Sequence, residues 1–101
     1  MRILLFFDLP TETTQNRREY ARFRKYLIKR GFMMMQESVY CRLALNSGVL
    51  ERVISDLRKN KPSEGLIQIL TVTEKQFSKM EFLLGDYHGD VVNSDERLIV
   101  L

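Results

Sequence analysis

Hydrophobic positions run unbroken from Ile3 to Phe7 and stop on a carboxylate, Asp8, followed by Leu9-Pro10. A run this short and continuous reads as a buried strand covered on at least one face. Pro10 has no backbone donor and biases Leu9 towards extended geometry, so the strand ends there and leaves Asp8 at its mouth. Thr11-Glu12-Thr13-Thr14 then offers hydroxyl N-caps for a helix to about Arg30, with Gly31 as a left-handed stop. At 100° per residue, Tyr20, Ala21, Phe23, Leu27 and Ile28 cluster on one side, and Arg18, Arg22, Lys25 and Lys29 on the other.

The segment Phe32 to Gln36 and the alternating Val39, Cys41, Leu43 and Leu45 predict two strands joined by a short link, a hairpin. Asn46-Ser47-Gly48 is a cap-like turn. Val49, Leu50, Val53, Ile54 and Leu57 follow helical spacing until Asn60-Lys61-Pro62. Gly65 leads into a β-branched strand over Leu66–Thr73, and Glu74 to Lys79 makes one helical turn. Glu81 to Leu84 is a short apolar run, Gly85 to Asp90 is loop chemistry, and Arg97 to Leu101 is an extended apolar segment.

This order is strand, helix, strand, strand, helix, strand. It predicts an α+β, ferredoxin-like βαββαβ fold with an antiparallel sheet, two helices on one face and a C-terminal extra strand. Residues 1–80 are expected to form the core, and 81–101 a strand extension for dimer or partner contact. A two-fold dimer is expected, since an uncovered apolar edge is a liability that pairing removes.

Length and composition narrow the class. A chain of 101 residues supports one core, and 45% hydrophobic against 29% charged residues is globular. A net charge of +3 permits a polyanionic partner. With Cys41 as the one cysteine, an intrachain disulfide or a cysteine metal cluster is excluded. No apolar stretch approaches the roughly 20 residues of a membrane helix, so a cytoplasmic protein without membrane contact is expected.

Few residues carry candidate chemistry. Asp8 reads either as a turn residue before Pro10 or as a ligand for Mg²⁺, which favours carboxylate oxygens and keeps several waters. One carboxylate per chain is a thin site, and a two-fold dimer would supply the second. The basic side of the first helix reads either as solvated surface or as a line of phosphate contacts from Arg17, Arg18, Arg22 and Lys25. His88 is a lone loop histidine, and Cys41 lies on the apolar phase of its strand. The Met33-Met34-Met35 run reads as strand packing, and its adaptable side chains also suit an interface. No catalytic triad, His-x-x-x-His pair or phosphate-binding glycine loop is present.

Several segments together resemble the CRISPR-associated protein 2 family. They are the strand ending Phe7-Asp8-Leu9-Pro10, the basic helix from Arg17 to Gly31, Gln36-Glu37-Ser38-Val39-Tyr40, and Leu70-Thr71-Val72-Thr73-Glu74-Lys75-Gln76-Phe77. The tail Asn93-Ser94-Asp95-Glu96-Arg97-Leu98 is most similar to members from type II-A systems. The resemblance implies a homodimer that sits between two dimers of the CRISPR integrase, CRISPR-associated protein 1, and helps capture double-stranded DNA as new spacers. It also implies a Mg²⁺-dependent endonuclease on RNA or DNA, with Mn²⁺ as an alternative ion and Asp8 of both protomers as the metal-binding catalytic residue. The resemblance further implies that integration chemistry belongs to the integrase and that hydrolysis is not needed for adaptation. The competing expectation is a free-standing, toxin-like metal-dependent endoribonuclease on the same fold. A metabolite-binding regulatory domain fits the basic helix less well.

Overall fold

A computed structural model describes residues 1–85, ordered β1 (Arg2–Asp8), α1 (Thr14–Lys29), β2 (Met33–Gln36), β3 (Val39–Leu43), α2 (Ser47–Asn60), β4 (Leu66–Val72) and the short α3 (Glu74–Phe77). The four strands form one antiparallel sheet in the order β2-β3-β1-β4. β1 is central because it is the most continuously apolar strand. It pairs with β3 from Arg2↔Leu43 to Phe6↔Val39 and with β4 from Arg2↔Val72 to Asp8↔Leu66. This is the expected α+β ferredoxin-like arrangement. The extra strand expected at 97–101 and His88 lie outside the described residues.

The pleat alternates side chains between the two sheet faces. Ile3, Leu5 and Phe7 of β1 meet Phe23 and Leu27 of α1 and Val53 and Leu57 of α2 in one buried cluster with Phe32, Tyr40 and Ala44. Phe7 is its hub. Its ring lies 5.8 Å from Tyr20 and 5.7 Å from Phe23, both edge-on, and stacks on Tyr40 at 5.7 Å. Such pairs each contribute about 0.5–1.5 kcal/mol beyond area burial, so the residue preceding Asp8 is firmly anchored.

Helix boundaries follow local hydrogen-bond chemistry. Thr13 caps α1, its hydroxyl accepting from Asn16 N–H at 3.0 Å while Asn16 Oδ1 accepts from Thr13 N–H at 3.3 Å. Gly31, at φ +92°, supplies the left-handed stop. Asn46 caps α2, so Ser47 and Gly48 belong to the helix rather than to a turn before it.

Three expectations are corrected. Ala21 and Ile28 do not join the buried stripe: Ala21 is exposed and Ile28 is 52% exposed. Ile28 lies about 100° on from Leu27, beyond the seam that α1 buries. Leu45 is 81% exposed and outside β3, because Ala44 N–H is claimed by Met1 O at 2.8 Å and the chain then turns into the Asn46 cap. Phe32 is buried but precedes β2, where it closes the α1 stop with its N–H on Leu27 O at 2.9 Å.

Candidate metal and nucleic-acid sites

Asp8 is the last residue of β1 and is exposed. Alternation along β1 puts it on the side of Arg2, Leu4 and Phe6, the face that α1 and α2 leave uncovered. Among the described residues its carboxylate enters no side-chain hydrogen bond or ion pair, so its oxygens are available to a ligand. The described residues contain no group of three or more His, Cys, Asp or Glu able to hold a metal ion. A single chain therefore builds no cage. One free carboxylate at a strand end still fits Mg²⁺, which takes one or two carboxylates and completes its shell with water and substrate phosphate.

The backbone around Asp8 is tightly bounded. Phe7 N–H donates to Ser38 O at 3.1 Å, and Ser38 occupies the left-handed region at φ +70°. On the β4 side, Gly65 at φ +111° approaches so closely that a Cβ there would lie 2.9 Å from Asp8 O. Neither Ser38 nor Gly65 stands out in the sequence as a functional residue. Gly65 reads there only as a lead-in to β4, and nothing in Glu37-Ser38 announces a left-handed serine.

Arg18, Arg22 and Lys25 are exposed on α1 and form no salt bridge with a described residue. Arg17 is placed differently. Its Nη1 donates to Thr11 O at 3.0 Å and Glu12 O at 3.1 Å, and its Nη2 reaches Thr14 Oγ1 at 3.4 Å. The guanidinium thus braces the β1–α1 loop, apart from the line of the other three. The periodic spacing of the line was visible in the sequence; the backward turn of Arg17 depends on loop carbonyls that spacing does not reveal.

The sheet face away from α1 and α2 is apolar and in large part open, with Phe77 of α3 against its Arg2 end. Leu66, Leu70, Leu43, Met33, Met80 and Phe82 are between 37% and 55% exposed. A cavity of about 380 Å³ on this side is lined by Arg2, Met33, Met35, Cys41, Phe77, Ser78, Met80 and Phe82. Arg2 is bound at its floor by Glu74, at 2.7 and 3.0 Å, and lies 4.3 Å above the Phe77 ring. That hydrogen bond holds the Glu74 carboxyl below the ordinary glutamate value. Burial pushes the Cys41 thiol up in this wall. β4 also presents an outer edge unpaired by any described strand.

An antiparallel ferredoxin-like sheet with a carboxylate at the mouth of its central strand, a basic first helix and an uncovered apolar face defines a narrow class. Residues 1–80 match the family model described as CRISPR associated protein Cas2. The chain is 52% identical over 101 residues to a protein of Treponema denticola named CRISPR-associated endoribonuclease Cas2, covering 100% of both chains. Relatives of the same name from Streptococcus mutans and Ligilactobacillus salivarius are each 46% identical over 101 residues, covering 100% of this chain and 93% and 100% of theirs. The chain belongs to the CRISPR-associated Cas2 family. The streptococcal relatives are consistent with the type II-A resemblance of its tail. No helix among the described residues is long and apolar enough to cross a membrane.

Proposed function

We propose that this chain is the structural, DNA-binding subunit of a CRISPR adaptation complex, working as a homodimer that bridges two dimers of the CRISPR integrase in the cytoplasm. The observation that carries the reading is the division of its surface. An open apolar sheet face suits a second copy, while the unpaired cations Arg18, Arg22 and Lys25 lie on α1, across the sheet from that face. Burying the first against its equivalent leaves the second free for the phosphates of double-stranded DNA. The C-terminal extension, 81–101, is assigned to contact with the partner copy or the integrase.

A Mg²⁺-dependent endonuclease activity on RNA or DNA is a secondary property in this reading, and the relatives' name, endoribonuclease, favours RNA as its substrate. Because Asp8 shares the face away from α1 and α2, a two-fold axis passing beside it would bring two Asp8 carboxylates to one site. Bound there, Mg²⁺ or Mn²⁺ would stabilise charge on the phosphoryl oxygens and activate water. Asp8 of each copy would hold the ion. If the chain were instead a free-standing endoribonuclease, cleavage would be its biological output. Spacer acquisition in cells carrying a cleavage-dead Asp8→Asn chain tests this: continued acquisition supports the subunit reading, and loss of acquisition with the complex intact contradicts it.

A further inference from the structure

We propose that Gly65 and Ser38 form a backbone clamp that positions the Asp8 carboxylate for metal binding, an inference that rests on Asp8 being the metal ligand. Asp8 ends β1, and the chain leaves the sheet immediately at Leu9-Pro10. Register pairing with β3 ends at Phe6, so Asp8 is paired on the β4 side alone and sits at an end of the sheet that is less protected than its centre. A site with one carboxylate per chain has no second ligand of its own to correct a misplaced one. Placement to within about 0.5 Å must therefore come from the backbone.

Both neighbouring strands supply it at the same level. From β4, Gly65 sits immediately before Leu66, the register partner of Asp8. A Cβ at position 65 would lie 2.9 Å from Asp8 O, 3.2 Å from Leu9 Cα and 2.6 Å from Leu9 Cδ2. Leu9 Cδ2 is the end of a flexible side chain and can yield, but Asp8 O and Leu9 Cα are backbone. From the β2–β3 turn, Ser38 directs its carbonyl onto Phe7 N–H at 3.1 Å. It does so from φ +70°, a region disfavoured for a residue with a Cβ. The two positive-φ residues thus bracket residues 7–9 from opposite sides. Asp8 is left with a fixed main chain and a side chain free of other bonds.

The test is Mn²⁺ titration of the full chain, followed by electron paramagnetic resonance of the free ion, well below each variant's unfolding midpoint. Gly65→Ala should weaken Mn²⁺ binding more than threefold while the variant remains folded. Adding Leu9→Ala should not restore it, because the Asp8 O contact persists. At position 38, Ser38→Gly keeps the carbonyl and the left-handed backbone and should bind within twofold of wild type, whereas the β-branched Ser38→Val should weaken binding. A folded Gly65→Ala chain within threefold of wild type, or recovery on adding Leu9→Ala, overturns the clamp. If Gly65→Ala does not fold, the position-38 pair decides: equal binding by Ser38→Gly and Ser38→Val overturns it. Wild type binding no tighter than Asp8→Asn is a different failure. It removes the metal reading itself, and the clamp's purpose with it.

Discussion

Arg24 on α1 donates its Nε–H to the hydroxyl of Tyr40 on β3 at 3.0 Å, joining an exposed cation to a tyrosine that is only 1% exposed. The bond raises the Arg24 pKa and satisfies the one polar atom of a ring stacked on Phe7. It therefore ties the basic helix to the residue that precedes Asp8. We predict that Tyr40→Phe costs about 1 kcal/mol, one net hydrogen bond, while Tyr40→Ala costs about 3–5 kcal/mol through the cavity it opens. Urea unfolding of both variants checks this. Equal losses would mean that the hydroxyl, not the ring, dominates.

The different placements of the basic residues separate binding from stability. Removing charge at Arg18, Arg22 or Lys25 should weaken nucleic-acid binding alike for all sequences and lower the log-log salt slope by about 0.9 per lost phosphate contact. These variants should unfold within about 0.5 kcal/mol of wild type, as exposed surface changes do. Arg17→Ala should instead destabilise the chain by about 1 kcal/mol, since it frees the carbonyls of Thr11 and Glu12. Salt-titrated binding beside urea unfolding distinguishes the two groups. Strongly base-specific or salt-insensitive binding would contradict the phosphate assignment.

How much of this was legible in the sequence depended on whether a feature is periodic or a matter of close approach. β1, α1 and α2 follow from runs and 3.6-residue spacing that nothing in the tertiary structure opposes. Asp8 was legible because an unbroken apolar run ends on it, and the α1 cations because they repeat. Ile28 misled because its apolar character placed it with Leu27, although a 100° step carries it off the buried seam. Leu45 misled because alternation continues in the sequence after the Ala44–Met1 hydrogen bond has ended the pairing. Ser38 and Gly65 were illegible for a stronger reason: their roles lie in the distance of their backbone from β1, which no local pattern encodes.

Acid should destabilise the fold through two glutamates. Ser63 N–H donates to Glu19 Oε1 at 3.0 Å and Gln15 to Oε2 at 3.0 Å, and these bonds hold Glu19 below the ordinary value, as Arg2 does for Glu74. A carboxyl depressed in the folded state binds fewer protons there than in the unfolded chain, so stability rises with pH across the interval. The contribution is full above the ordinary glutamate value and is lost as pH falls through the depressed one. Glu19→Gln and Glu74→Gln should therefore flatten the acid limb of stability against pH. Unaltered acid limbs in both variants would show that these bonds are not maintained in solution.

Assembly is tested on the sheet face away from α1 and α2. Leu70 is 53% exposed there and contributes nothing to the buried cluster beneath the helices. Leu70→Glu should convert a homodimer to a monomer while leaving the unfolding midpoint measured in dilute monomer nearly unchanged. Light scattering at micromolar concentration reads the mass. A wild-type monomer would contradict the homodimer itself, and a Leu70→Glu dimer as tight as wild type would place its interface elsewhere.

The proposed adaptation role is structural, so it should survive loss of any metal-dependent cleavage that Asp8 supports. The most direct measurement is the Asp8→Asn chain assayed in parallel for Mg²⁺-dependent cleavage of RNA and DNA, for assembly with the integrase, and for spacer acquisition. The substitution keeps the shape at the end of β1 and removes the charge. The account predicts that cleavage is abolished while the dimer, the complex and acquisition persist at near wild-type levels. Loss of acquisition from a complex that still assembles, or cleavage undiminished in the variant, would contradict it.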